Sequence, residues 1–189
     1  MKNTETALII GGSSGMGLAT AKQLHELGKD VIIIGKNADK LNKAKLELTS
    51  NANAEIIQAD LTNSDEVERV VRQIEGTNKH IRYLVNAAGY FNPTPFLEHE
   101  YKDYDIYADL NRASFFISQA VSKNMVENGG GAIVHVGSMW AQQAIKATPS
   151  SAYSMAKAGL HSLTQNMAME LSDHNIRVNA VSPAVVKTP

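Results

Sequence analysis

The sequence contains no cysteine. That excludes disulfides, a thiolate nucleophile and cysteine-ligated metal sites, and it fits a reducing cytoplasm. No apolar run approaches the ~18 residues that a membrane span requires. The polar run from Lys2 to Thr6 has neither the apolar region nor the cleavage site of a signal peptide. Net charge is nearly absent: 18 Lys+Arg against 19 Asp+Glu leave −1 at pH 7, so no broad basic field exists to attract nucleic acid or anionic lipid. Internal repeats and low-complexity segments are also missing. We therefore expect a soluble cytoplasmic protein with no metal site, no nucleic-acid partner and no membrane partner.

The 189 residues, 43% hydrophobic and 20% charged, suffice for one α/β domain with a sizeable core. Short β-branched runs alternate with amphipathic stretches. "ALIIG" precedes a helical pattern from about Gly15 to Leu27. "DVIIIG" precedes one from Ala38 to Leu48, and "AEIIQA" one from Ser64 to Ile74. "IRYLVNAAG", a helical stretch running through "NRASFFISQAVSKNMV", "GAIVHVGS", a helix opening near Tyr153, and "IRVNAVSP" complete the series. The apolar runs are continuous, as in strands buried on both faces, and the alternation means βαβ units. Right-handed crossovers then predict a doubly wound, Rossmann-type parallel sheet of strand order 3-2-1-4-5-6 with helices on both faces. The glycine-rich "NGGGA" at Asn128–Ala132 falls where a helix must turn into a strand, and no linker separates a second domain.

The first βα turn reads "IIGGSSGMGLA". Gly11, Gly15 and Gly17 follow a strand and open a helix, where they let the backbone turn sharply and approach a pyrophosphate. The helix N-terminus offers free N–H groups to the phosphates. Ser13, Ser14 and Met16 fill the same loop, which could also be no more than a turn of the chain. The second strand ends "IIIGKN". Gly35 stands where an acid would read a ribose 2′-OH, and Lys36 follows it, so NADP is favoured and NAD is possible. Lys36 could equally be a solvated loop lysine. Asp60, in "QADLT", reads either as a cofactor contact at a strand's C-terminal end or as an N-cap. "NAAG", Asn86 to Gly89 with Ala87 and Ala88 between them, closes the fourth strand with small residues that would let the backbone pass close to a cofactor.

"SSAYSMAKAGLHSLT" starts a helix after Pro149, with a serine pair as its cap, and sets Tyr153 and Lys157 on one face four residues apart. A cation about 4 Å from a phenol, at an effective dielectric near 20, contributes roughly 4 kcal/mol in favour of the phenolate. Such a pair can act as general acid/base on a carbonyl or alcohol oxygen, although the spacing also arises by chance. Ser138 ends "IVHVGS", and Asn111 heads an apolar helix face in "YADLNRASFF". A nucleophilic role for Ser138 lacks the G-x-S-x-G elbow. His135 and His161 are imaginable bases that fit a core or surface position better.

The glycine spacing, NAAG, Asn111, Ser138, YxxxK and "NAVSP", in this order across essentially the whole chain, resemble the short-chain dehydrogenase/reductase family, and within it 3-oxoacyl-acyl-carrier-protein reductase-like members. The loop looks like TGxxxGxG, with Ile10 in place of the threonine, and Ala184 stands where the family has glycine after Pro183. The resemblance implies one NAD(P)-binding domain over residues 1–189 and an oxidoreductase that moves hydride between nicotinamide and a ketone or secondary alcohol. It implies Tyr153 as proton donor and Lys157 as its electrostatic partner on the nicotinamide ribose. Ser138 would polarise the carbonyl, and Asn111 would hold a relay water. Asp60 and Leu61 would lie at the adenine, and Pro183, Val186 and Thr188 at the nicotinamide. Similar proteins pair the helices around Phe115–Met125 and Tyr153–Leu171, so a homodimer or homotetramer is expected. Family members continue past the position of Pro189, so the chain is expected to lack a C-terminal strand, leaving "IRVNAV" as an edge. A cofactor-binding sensor or scaffold with little turnover is the alternative.

Overall fold

The computed structural model describes residues 5–186. Six parallel strands form one sheet: β1 (Thr6–Ile10), β2 (Asp30–Gly35), β3 (Ala54–Gln58), β4 (Ile81–Asn86), β5 (Gly131–Val136) and β6 (Ile176–Val181). Their order is β3-β2-β1-β4-β5-β6, the doubly wound arrangement that the alternation predicts. Five helices connect them: α1 (Gly15–Glu26), α2 (Ala38–Leu46), α3 (Ser64–Glu75), α4 (Tyr101–Glu127) and α5 (Ser151–Glu170).

The continuous apolar strands have a direct cause. Leu8, Ile10, Ile32, Ile34, Leu84 and Ile133 face one core, closed by Val67, Val70 and Ile74 of α3, and by Ala113, Ile117 and Val121 of α4. The intervening Ala7, Ile9, Val31 and Ile33 face the opposite core under Ala21 of α1 and Leu41 and Ala44 of α2. Each strand therefore needs apolar residues at every position, not at alternate ones. The stretch through "NRASFF" is the middle of a single 27-residue helix. Among the described residues β3 and β6 are the outer strands, and in β6 Val178 is buried and Val181 half exposed.

Two local expectations change. The cap of α3 is Asn63, whose side chain accepts from the N–H groups of Asp65 and Glu66, so Asp60 is not the N-cap. At the start of α5 the Ser150 side chain does not cap the backbone; its hydroxyl lies 3.1 Å from that of Ser154. Among the described residues no helix is long and apolar enough to cross a membrane.

Candidate active site

The C-terminal ends of β1, β2, β3 and β4 open onto a groove of about 500 Å3 lined by the Gly11–Gly17 loop, Gly35, Lys36, Asp60, Leu61 and the Ala87–Gly89 turn. Gly11 has φ +75°, and a Cβ on it would lie 2.7 Å from the Ala88 nitrogen. A Cβ on Gly17 would lie 2.2 Å from the Gly11 oxygen. The glycines thus bring three backbone segments, the β1 turn, the first turn of α1 and the NAAG turn, into direct contact. This leaves the N-terminus of α1 open to the groove, with exposed Ser14 as its N-cap. The cradle fits a dinucleotide diphosphate: helix N–H groups at one wall and no side chain between backbone and ligand.

Lys36 and Asp60 meet at the far end. The Lys36 ammonium lies 2.7 Å from Asp60 Oδ2, across the ends of β2 and β3, while most of the lysine side chain stays exposed. Burial alone would raise the Asp60 carboxyl. The Lys36 ammonium and the Thr62 backbone and hydroxyl donors outweigh it and hold the group below its ordinary range. The same contact raises Lys36 above the ordinary lysine value.

At the other end of the groove, α5 brings Tyr153 and Lys157 together, with the ammonium 5.8 Å from the centre of the tyrosine ring. Its hydrogen bond goes to the Val136 carbonyl at the end of β5, 2.8 Å away. The groove and this pair are joined at Gly89, where a Cβ would lie 3.9 Å from Lys157 Nζ. Burial lowers Lys157 from 10.5 to about 8. The unfolded chain therefore holds that proton more tightly, so below pH 8 the buried cation costs about 3 kcal/mol of stability, relieved as pH rises from 8 to 10.5.

Ser138 is 4% exposed, and its oxygen accepts from the Trp140 N–H at 3.3 Å. Its proton goes to no protein acceptor among the described residues and is free for another. Asn111 donates its amide to the Ala156 carbonyl at 3.0 Å, tying α4 to α5. A cavity of about 20 Å3, the size of one water, is bounded by Asn111, Ser114, Tyr153 and Lys157. Pro183 accepts from Met139 N–H through its carbonyl, and Val186 lies beside Ser14 and Met16. Thr188 lies outside the described residues.

His135 is fully buried between α4 and α5, with Nδ1 3.1 Å from the Thr164 hydroxyl and Nε2 3.4 Å from that of Ser118. Thr164 gives its own proton to the Leu160 carbonyl, so His135 donates from Nδ1 and accepts at Nε2. Burial, with lesser repulsion from Lys157 and His161, lowers it from 6.5 to about 4. It is a neutral core residue. The unfolded chain binds the extra proton between these two values, so stability present above pH 6.5 is lost as pH falls toward 4, by about 3 kcal/mol. Urea unfolding at stepped pH should show this slope, and His135→Asn should flatten it; parallel curves for the two proteins would refute the assignment.

Aromatic neighbours of Tyr153 are not apparent from spacing. Phe91 meets its ring edge-on at 4.8 Å, and Tyr107 does so at 6.0 Å. Tyr107 sits one helical turn before Asn111, and that i, i+4 spacing is the signal that could have found it.

The short chain dehydrogenase family model matches residues 5–189. The chain is 36% identical over 186 residues to a 3-oxoacyl-acyl-carrier-protein reductase of Rickettsia bellii, covering 97% of this chain and 73% of that one. It is 35% identical over 185 residues to a 2-dehydro-3-deoxy-D-gluconate 5-dehydrogenase of Formosa agariphila, covering 96% and 69%. The fold superposes with a TM-score of 0.90 and 30% identity on a short-chain dehydrogenase from Sphingobium yanoikuyae in complex with NADPH, covering 97% and 72%. An acetoin dehydrogenase from Enterobacter cloacae gives 0.92 at 31% identity, covering 100% and 76%. The chain belongs to the short-chain dehydrogenase/reductase family and is an NAD(P)-dependent oxidoreductase of alcohol and carbonyl groups.

Proposed function

We propose that the protein is an NADP(H)-dependent reductase/dehydrogenase of a ketone/secondary alcohol pair, with Tyr153 as general acid/base. The observation that carries this reading is the meeting of the two halves of the site: the glycine-lined groove ends at Gly89, against the Lys157 ammonium beside the Tyr153 ring. A nicotinamide dinucleotide supplies or accepts the hydride when bound.

The chain's own residues do the rest. The Gly11–Gly17 loop, with Ser13, Ser14 and Met16, holds the diphosphate on the α1 N-terminus. Ala87, Ala88 and Gly89 keep the groove shallow enough for backbone contact, and Asn86, buried beneath them, anchors their turn by donating to the Ser114 hydroxyl at 2.8 Å. Asp60 and Leu61 would bound the adenine end; Pro183, joined to Met139 next to Ser138, would flank the nicotinamide end, and Val186, beside Ser14 and Met16, would lie toward the phosphates. Ser138 donates its free hydroxyl proton to the substrate oxygen. Tyr153 gives that oxygen its proton during reduction and takes it back during oxidation. Lys157 holds a positive charge in a buried setting beside the ring, where charge interactions are stronger than in water. The cavity beside Asn111 would hold the one water through which Lys157 exchanges protons with solvent.

The NADPH-bound relative and Lys36 support NADP over NAD. Asp60 neutralises Lys36 in part, so the preference is moderate: Lys36→Met should raise KM for NADPH about tenfold relative to NADH. An unchanged ratio would remove Lys36 from cofactor selection. Half-exposed Phe115 and Phe116 on α4 and exposed Met169 on α5 support pairing of these helices between copies in a homo-oligomer.

The test of the whole reading is consumption of NADPH, followed by its absorbance, against a panel of ketones. Oxidation sustained over many turnovers supports it; tight NADPH binding without oxidation of any ketone would instead favour a sensor or scaffold.

A further inference from the structure

We propose that the site selects an uncharged carbonyl compound whose carbonyl is borne on a flat aromatic or comparable apolar group, and that Tyr107 is the positioning residue that holds the selecting wall in place. This rests on the reading of Tyr153 as the proton donor. Two rings pack on that residue and a third extends them. Phe91 packs on it at 4.8 Å with 67° between planes, Tyr107 at 6.0 Å with 69°, and Tyr90 continues the chain from Tyr107 at 5.9 Å. Tyr90 and Phe91 are 44% and 45% exposed, so the wall offers free ring surface beside the acid/base group.

The wall is carried by a loop, and one buried hydroxyl fixes that loop. Tyr107 is 5% exposed, and its ring packs with Ala152 and Ala156 of α5. Its oxygen accepts from the Asn92 N–H at 3.2 Å and donates to the Asn92 carbonyl at 3.4 Å. Both backbone groups of the residue next to Phe91 are thus tied to α4. Burial raises the Tyr107 phenol above its ordinary range and keeps it protonated, as the donated bond requires. Packing alone would need the ring but not the hydroxyl.

The charge pattern points the same way. The flanking segments Tyr90–Glu100 and Met139–Pro149 hold no arginine and a single lysine, the exposed Lys146, against the two carboxylates of Glu98 and Glu100. A carboxylate or phosphate substrate is normally met by an arginine fork or several cations. Here the available contact is edge and face of aromatic rings, which discriminates by up to about tenfold per ring pair.

The test compares kcat/KM with NADPH for acetophenone, butanone and the anionic 4-oxopentanoate. We expect acetophenone to exceed 4-oxopentanoate by at least about tenfold. Tyr107→Phe keeps the ring and should raise the ratio of KM for acetophenone to KM for butanone about fivefold, with the dissociation constant for NADPH unchanged. Phe91→Ala, at a half-exposed position, should raise the same ratio without loss of folding. A preference for 4-oxopentanoate, or KM values for both ketones rising together in Tyr107→Phe, overturns the inference while leaving the proposed reductase activity standing. Turnover of none of the three, with NADPH bound, overturns both.

Discussion

Tyr153→Phe is expected to lower kcat/KM for ketone reduction by about 10^3-fold, with NADPH affinity within about twofold of the parent, as loss of a positioned proton donor costs 10^2 to 10^4. The variant is conservative in packing. The Phe91 and Tyr107 contacts are ring contacts, and a phenylalanine retains them. The hydroxyl makes no hydrogen bond within the protein among the described residues, so its removal strands no partner and the fold should keep its stability. The measurement is a steady-state comparison with parallel NADPH titration by protein fluorescence. Turnover within tenfold of the parent would require another acid, and the described site offers only Ser138 and Lys157 near that position. A joint fall in NADPH affinity would mean that the tyrosine acts mainly in binding.

Gly17→Ala should be the most damaging small substitution in the cofactor groove. Its new Cβ would stand 2.2 Å from the Gly11 oxygen and 2.8 Å from the Gly11 carbon, both backbone atoms with no rotamer to change. The first turn of α1 must therefore back away from the β1 turn, taking with it the N–H groups that face the phosphates. We expect NADPH affinity to fall by about 100-fold, equivalent to roughly 3 kcal/mol. The strain of overpacking adds a loss of about 1–3 kcal/mol in stability, or several degrees in thermal midpoint for a chain of this size. Binding measured well below the transition separates the two effects. An affinity within threefold of the parent would show that the loop tolerates movement and that its close packing is not what presents the helix end.

What the sequence disclosed and what it withheld divide along a physical line. Gly11, Gly17 and NAAG were legible because each is a local demand of the backbone, tied to its position after a strand. Tyr153 and Lys157 were legible because helical spacing alone places them together. The Lys36–Asp60 pair was not, since it joins the ends of β2 and β3 and depends on strand order in space. Nor was the Tyr107 bond to Asn92, which needs the path of an irregular loop. The hydrogen bond from Lys157 to the Val136 carbonyl was not legible either, since it joins α5 to the end of β5. Ser150 looked like a cap by residue type, yet a neighbouring hydroxyl competes for it.

The end of β5 and the two residues after it bear on how this site can fail. His135 turns its ring between α4 and α5, Val136 offers its carbonyl to Lys157, Gly137 makes room for His161, and Ser138 accepts from the Trp140 N–H. These four successive residues serve different neighbours, and alternation along the extended backbone, which continues past β5 through Gly137 and Ser138, fixes which is which. Deleting any single residue from Gly131–Val136 would invert that assignment as a block. The neutral His135 ring would turn away from Ser118 and Thr164 while Lys157 lost its carbonyl partner, so indels in this strand should inactivate the protein outright where point changes only weaken it.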